Sequence, residues 1–379
     1  MDKPNFHKIL IGKLKLKSNN TLYSSVFFLL FCSMASAQTA DLIEAELVES
    51  VEPSYPKERT PRSSGEQSID DGLVKLIYMV DQRGEPYQVM VDRTSMPKFS
   101  EEAIKSITRY QFKPAMKNAK PVDSRHSSEL KFVFDEADLH DSRGNKRSIG
   151  AARRFSLPDG FKSYYDQFSE EFNQVKPDQD KLQHLLNKMA KIKHQSFYSL
   201  AYLSLARYRA AKKIDDKLGQ MQALEDLIWF DEMVETKHQV LQKDLKRTVY
   251  TALLQLQIEL GHYAEALDNY SKFKESDRKI GNMFKDYIGK IILLKESDQL
   301  TQRVVNIGDN GYSHLPLLKR SFVVEVDKGI INTLKLRCDT KFKEFAFRVD
   351  AQYTLPDSWG QCDLQIIGES DSVASVLQQ

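Results

Sequence analysis

Hydrophobic and polar positions change period several times along the chain, and the changes divide it. Residues 74–80 and 87–92 are rich in β-branched and aromatic types, which predicts two strands. Asp81 to Gly84 between them predicts a turn, with Gly84 available for positive φ, so the strands form a hairpin. Ala103, Ile104, Ile107 and Tyr110 then recur at helical spacing. Ser100 is placed to cap that helix, and Glu101 and Glu102 occupy a first turn where the helix dipole favours acids. Residues 130–134 alternate as a further strand. The order ββαβ predicts a helix packed on one face of a small antiparallel sheet.

From Phe161 to Leu294 Pro and Gly are scarce and the period becomes helical. Leu182, Leu185, Leu186 and Met189 form one apolar stripe; Leu200, Leu203, Ala206 and Ala210 form another. Leu224, Leu227 and Ile228, then Val249, Leu253, Leu256 and Leu260, continue the pattern, which predicts about six or seven antiparallel helices. Asp178, just after Pro177, marks a helix start. Gly261, Tyr263, Ala266 and Tyr270 resemble part of a tetratricopeptide repeat. A degenerate second copy near Ala223 lies off the repeat's period. The region is either a helical-hairpin solenoid with a concave binding face or a plain bundle acting as a spacer.

The final part reads as strands at residues 322–326, 330–336, 345–349 and 364–367, with a tight-turn signal at Asp327 to Gly329. The last dozen residues read as a frayed tail. Trp359 either packs in this module's core or, with Tyr353, stacks on a sugar. Residues 138–160 lose periodicity and read as a linker. Its basic residues either face solvent or touch an anionic surface.

The N-terminus changes the meaning of the composition. Lys3, Lys8, Lys13, Lys15 and Lys17 precede an apolar run at residues 26–32 and then Ala35, Ser36 and Ala37. That arrangement predicts an export signal cleaved after Ala37; an uncleaved anchor is the alternative. Phe31 before Cys32 argues against lipidation. The formal charge of the whole chain is +2. Loss of five Lys and one Asp with residues 1–37 turns it to −2, so the slight basicity does not point to nucleic acid. Of 3 cysteines the mature chain keeps Cys338 and Cys362. In an oxidising compartment they form a disulfide, or they remain two buried thiols.

The first module resembles a known family. Pro53, Tyr55 and Pro56, then Gly72, Val74, Val80, Asp81 and Gly84, are similar to the C-terminal domain of TonB. So are Phe99 and Ala103, Phe112, Pro114 and Ala115, and Pro121 with Val122. The resemblance implies a ββαβ domain that recruits an extended peptide, in the family the N-terminal box of an outer-membrane transporter. Recruitment is by strand addition at an exposed sheet edge. The implied partner-binding residues are Tyr55, Pro56, Leu130, Phe132, Val133 and Phe134, with Tyr55 closing the sheet end. Core packing is an equal reading of Tyr55 and Phe112. The chain departs from a transducer of that family. It lacks the long Pro-rich spacer before the domain, and more than half of it follows the domain.

The expected architecture is α+β and multidomain. A signal peptide at residues 1–37 precedes a TonB-like domain at 45–137. After a linker at 138–160 come an all-α, tetratricopeptide-like domain at 161–300 and a small disulfide-stapled β module at 312–368. The eight His are scattered, and no metalloprotease, nucleophile-elbow, phosphate-loop or dinucleotide motif occurs. The expectation is a periplasmic, Gram-negative adaptor in TonB-linked transport. It is a protein-binding protein, not an enzyme, with no cofactor, metal or nucleic acid. The alternatives are a transducer anchored by an uncleaved N-terminus and an envelope glycan-binding protein using the C-terminal module.

Overall fold

The computed structural model describes residues 42–56, 70–133, 155–193 and 195–379. The expected signal peptide and most of the expected linker lie outside the described residues. So does Phe134.

The first module is built on a three-stranded antiparallel sheet. β3 (Gly72–Val80) is central, between β4 (Pro86–Thr94) and β8 (Ser124–Phe132). The predicted hairpin is β3–β4. Its turn is closed by Gly84 N–H donating to the Asp81 carbonyl at 2.9 Å, with Gly84 at φ +87°. A short 3-10 turn, Pro97–Phe99, leads into α1 (Ser100–Ile107). Ser100 is the first helical residue, not the cap; Phe99 holds that position and no side chain caps the helix. Phe99 is instead fully buried with Ala103 and Ile107 against Val74, Leu76, Tyr78 and Val80 of β3. The hydrophobic demand of that ring fixes the helix entry. Short strands complete the module: β1 (Leu42–Ile43) pairs with β6 (Ala115–Lys117), which pairs with β7 (Lys120–Val122). β2 (Glu46–Glu49) pairs with β5 (Gln111–Lys113).

Strand parity sends alternate side chains of β3 to opposite faces. Val74, Leu76, Tyr78 and Val80 face α1, whereas Leu73 joins the core of the helical module. That module contains α2 (Asp159–Phe172), α3 (Gln179–Ala190), α4 (Phe197–Lys213) and α5 (Lys217–Asp231). It continues with α6 (Lys243–Glu259), α7 (Tyr263–Ser276) and α8 (Arg278–Glu296). The predicted stripes are its buried faces, and Asp178 caps α3 by accepting from Lys181 N–H at 3.1 Å. Phe155, expected in the linker, stacks on His238 with ring centroids 4.1 Å apart. No described helix is long and apolar enough to cross a membrane.

The C-terminal module is a sandwich of two four-stranded sheets. One has the order β10 (Tyr312–Pro316), β15 (Cys362–Gly368), β12 (Ile331–Cys338), β13 (Lys341–Ala346). The other has the order β14 (Gln352–Thr354), β11 (Ser321–Lys328), β16 (Val373–Gln378), β9 (Thr301–Asn306). The last residues are therefore not a frayed tail. β16 lies between β11 and β9, with Ala374 and Val376 fully buried, because the second sheet needs an interior strand to close the core. Cys338 and Cys362 face each other in the β12–β15 register and form a disulfide. Trp359 is partly buried against the sandwich core.

Candidate functional site

β8 is an edge strand of the first module, and its parity decides what it can offer. Leu130 and Phe132 are 7% and 3% exposed and point to the α1 core, where Phe132 lies 4.9 Å from Phe99 between ring centroids. Tyr55 closes the same core. Its ring meets Phe99 edge-on at 5.6 Å, and its hydroxyl donates to the Asp70 carbonyl at 2.8 Å. Pro56 is buried. Val133 packs against the helical core. Tyr55, Leu130 and Phe132 thus gather around one core and support the edge, while Val133 turns to the helical core; these side chains do not form an open binding surface.

What the edge presents is backbone. Arg125 N–H donates outward, across to the Asp339 carbonyl at 3.2 Å. Parity then points the N–H and C=O groups of Ser127, Glu129 and Lys131 outward as well. Among the described residues these groups have no backbone partner, and all three residues are exposed. Unpaired groups of this kind are a template for another strand. The signal missed in the sequence was the start of β8. Six residues before Leu130 it already pairs with β3, Ser124 facing Val80, but its polar residues conceal a strand.

The other side chains of β8 face the helical and sandwich modules across a cleft of about 1340 Å³. A register shift between Lys75 and Leu76 leaves Asp92 as an extra residue in β4, opposite no partner. Such a bulge re-aims side chains, and here Lys75, Asp92 and Arg93 all line the cleft. Lys75 Nζ lies 2.6 Å from the Asp92 carboxylate, which also bonds His314 of β10. Burial works against the charge of Asp92. The His314 hydrogen bond and the Lys75 charge outweigh it and hold the carboxyl well below the usual range.

On the helical wall Arg93 donates to Asp226 at 2.6 Å and lies over the Trp229 ring at 5.0 Å. Trp229 Nε1 donates to Glu129 of β8 at 3.0 Å. Burial pushes the carboxyls of Glu225 and Glu232 up. Glu265, half-buried and partly desolvated, is nevertheless held down at about 2 by its His262 hydrogen bond and the Arg303 charge. At the far end of β8, Arg125 bridges Asp339 at 3.0 Å and Asp363, which flank the Cys338–Cys362 bond. The cleft is therefore walled by three modules held together by ion pairs. Among the described residues no group of His, Cys, Asp and Glu could hold a metal ion.

Comparison with known families fits this geometry. Residues 51–134 match the family model described as Gram-negative bacterial TonB protein C-terminal. No curated protein matches the chain. The match begins beside Tyr55 and ends at the last strand, so it covers the sheet, α1 and the open edge. Residues 51–134 therefore carry a TonB C-terminal domain match, and their strands and helix follow the ββαβ order.

Proposed function

We propose that the protein is a periplasmic TonB-family adaptor. It binds an extended peptide of an envelope partner, of the outer-membrane transporter type, by strand addition to β8. The observation that carries this reading is the outward-facing backbone of Ser127, Glu129 and Lys131 on an edge within the TonB match. Leu130 and Phe132 hold the strand from beneath, and Tyr55 and Pro56 lock the end of the core. Val133, the residue after Phe132, packs against the helical core. The helical and sandwich modules present surfaces to further partners, and the protein performs no chemistry of its own. Export through residues 1–37, with cleavage after Ala37, belongs to the same proposal.

The test uses fluorescein-labelled nine-residue peptides of alternating Thr and Val, read by anisotropy. Ser127→Pro removes one outward donor and puts a ring in the path of the incoming strand, while an edge position tolerates Pro. Loss of one hydrogen bond plus obstruction of its neighbours predicts a roughly tenfold or greater loss of affinity. Circular dichroism should show an unchanged fold. Full affinity in a folded Ser127→Pro protein would contradict strand addition at β8.

A further inference from the structure

A strand added to β8 places every second side chain over the cleft, and the residue opposite Glu129 lies on the same face as Glu129. Two carboxylates, Glu129 and Glu232, line the cleft there, beside Lys75, which sits opposite Glu129 in the β3–β8 register and whose ammonium is held closer by Asp92. Glu129 accepts from Trp229 Nε1 at 3.0 Å, and among the described residues no cation lies within ion-pair distance of it. Glu232, three residues after Trp229, stands at the C-cap of α5 and lines the same cleft. Among the described residues its carboxylate has one hydrogen-bond partner, the Tyr250 hydroxyl, at 3.5 Å. Desolvation and the nearby Glu129 charge push its carboxyl up, opposed by Lys246. Helix α5 also ends here, and its C-terminal carbonyls carry the negative end of the helix dipole.

The neighbouring cations are committed elsewhere. Lys75 pairs with Asp92 at 2.6 Å and Arg93 with Asp226 at 2.6 Å. Lys131 lies over the Phe197 ring at 5.1 Å and reaches the Met233 carbonyl at 3.5 Å. Lys246 lies over the Tyr250 ring at 5.5 Å and forms no ion pair with Glu232.

We propose that the edge selects extended peptides carrying Lys or Arg at the position opposite Glu129, where Glu129 and Glu232 receive the cation. This rests on the strand-addition reading and adds to it the chemistry of the partner. Lysine and arginine both suit the site, because their long stems can lie along the cleft wall while the charge reaches the carboxylates. An acidic residue at that position meets like charge directly opposite and is disfavoured.

The experiment compares nine-residue Thr/Val peptides with Lys, Ala or Glu at the centre, at low and high salt. The Lys peptide is expected to bind about tenfold more tightly than the Glu peptide, from opposite-charge against like-charge pairing at two carboxylates, and salt should shrink the gap. Glu129→Gln combined with Glu232→Gln keeps the Trp229 acceptor and should level the three peptides. Glu129→Lys should reverse their order. Equal affinities for the three peptides on the unaltered protein would overturn the charge preference while leaving strand addition intact. No binding of any peptide would sink both. Replacing Arg143, Lys146 and Arg147 by Ser should leave affinities unchanged. An equal rise for every peptide would make the chain's own basic stretch the occupant and overturn the assignment to a partner peptide.

Discussion

Arg125→Ala is expected to loosen the sandwich from the TonB domain. The guanidinium bonds Asp363, whose side chain is 10% exposed, and Asp339, which is 37% exposed; Arg125 itself is 24% exposed. Removing one member of a fully buried pair costs about 3–5 kcal/mol, and an exposed pair contributes about 0–1 kcal/mol. The Asp363 contact falls between these limits and the Asp339 contact near the lower one. The expected loss is about 2–3 kcal/mol, because Asp363 stays buried beside the already crowded Arg337. Arg337 faces Asp363 in the β12–β15 register and stays charged at neutral pH, but its guanidinium already bonds the Gln88 carbonyl and Gln365, so it replaces only part of the lost partner. Urea unfolding with linear extrapolation measures the loss. Arg125→Lys, a point charge that reaches one carboxylate, should lose about half as much. A loss below about 0.5 kcal/mol for Arg125→Ala would refute the claim that this bridge ties the modules together.

Stability should peak in mildly acidic buffer. The depressed carboxyls of Asp92 and Glu265 stabilise the fold while ionised, fully above the ordinary carboxylate range, and that contribution disappears as pH falls towards 2. The raised carboxyl of Glu225 acts oppositely: its charge costs stability at neutral pH, and protonation on acidification relieves it. Melting temperature should rise from pH 7.5 to about 5 and fall below about 4; a steady fall from neutrality downward would contradict the signs. Gly84→Ala places a Cβ 1.8 Å from the Phe112 carbonyl oxygen at φ +87°. It should cost about 3 kcal/mol or more, and wild-type melting would refute the turn's role. Cys338 and Cys362 are 24 residues apart, so the chain-entropy model gives the bond roughly 3.5 kcal/mol. Reduction or Cys362→Ala should lower the denaturant midpoint accordingly, and an insensitive midpoint would leave the bond without a stabilising role.

The elements that announced themselves in the sequence are those whose environment is simple. α1 and the stripe of α3 each turn one apolar face to one core, so period and burial coincide, and β3 reads as a continuous apolar run because both of its faces are buried. The cysteines too end up in one register and bonded, as their even count in an oxidising compartment suggested. β8 was half concealed because its Ser124 to Glu129 stretch meets polar walls on the sandwich and helical side. β16 was missed because its partners β11 and β9 lie far off in sequence, and six residues with no turn signal look like an end. The edge itself was hardest to read. Strand addition uses main-chain groups, which every residue type has, so Leu130 and Phe132 drew attention while Ser127 and Glu129 did not. The cleft draws on the sheet, α5 to α7 and β10, and no local pattern joins them.

The central claim is that β8 receives a strand, and amide exchange measures it residue by residue. With a saturating Thr/Val peptide carrying a central Lys, NMR-detected exchange at Ser127, Glu129 and Lys131 should slow at least tenfold. That follows from outward N–H groups gaining partners. The amides of Ser128 and Leu130, already bonded to β3, should change little. Equal protection of all five, or none at the outward three, would contradict strand addition at this edge.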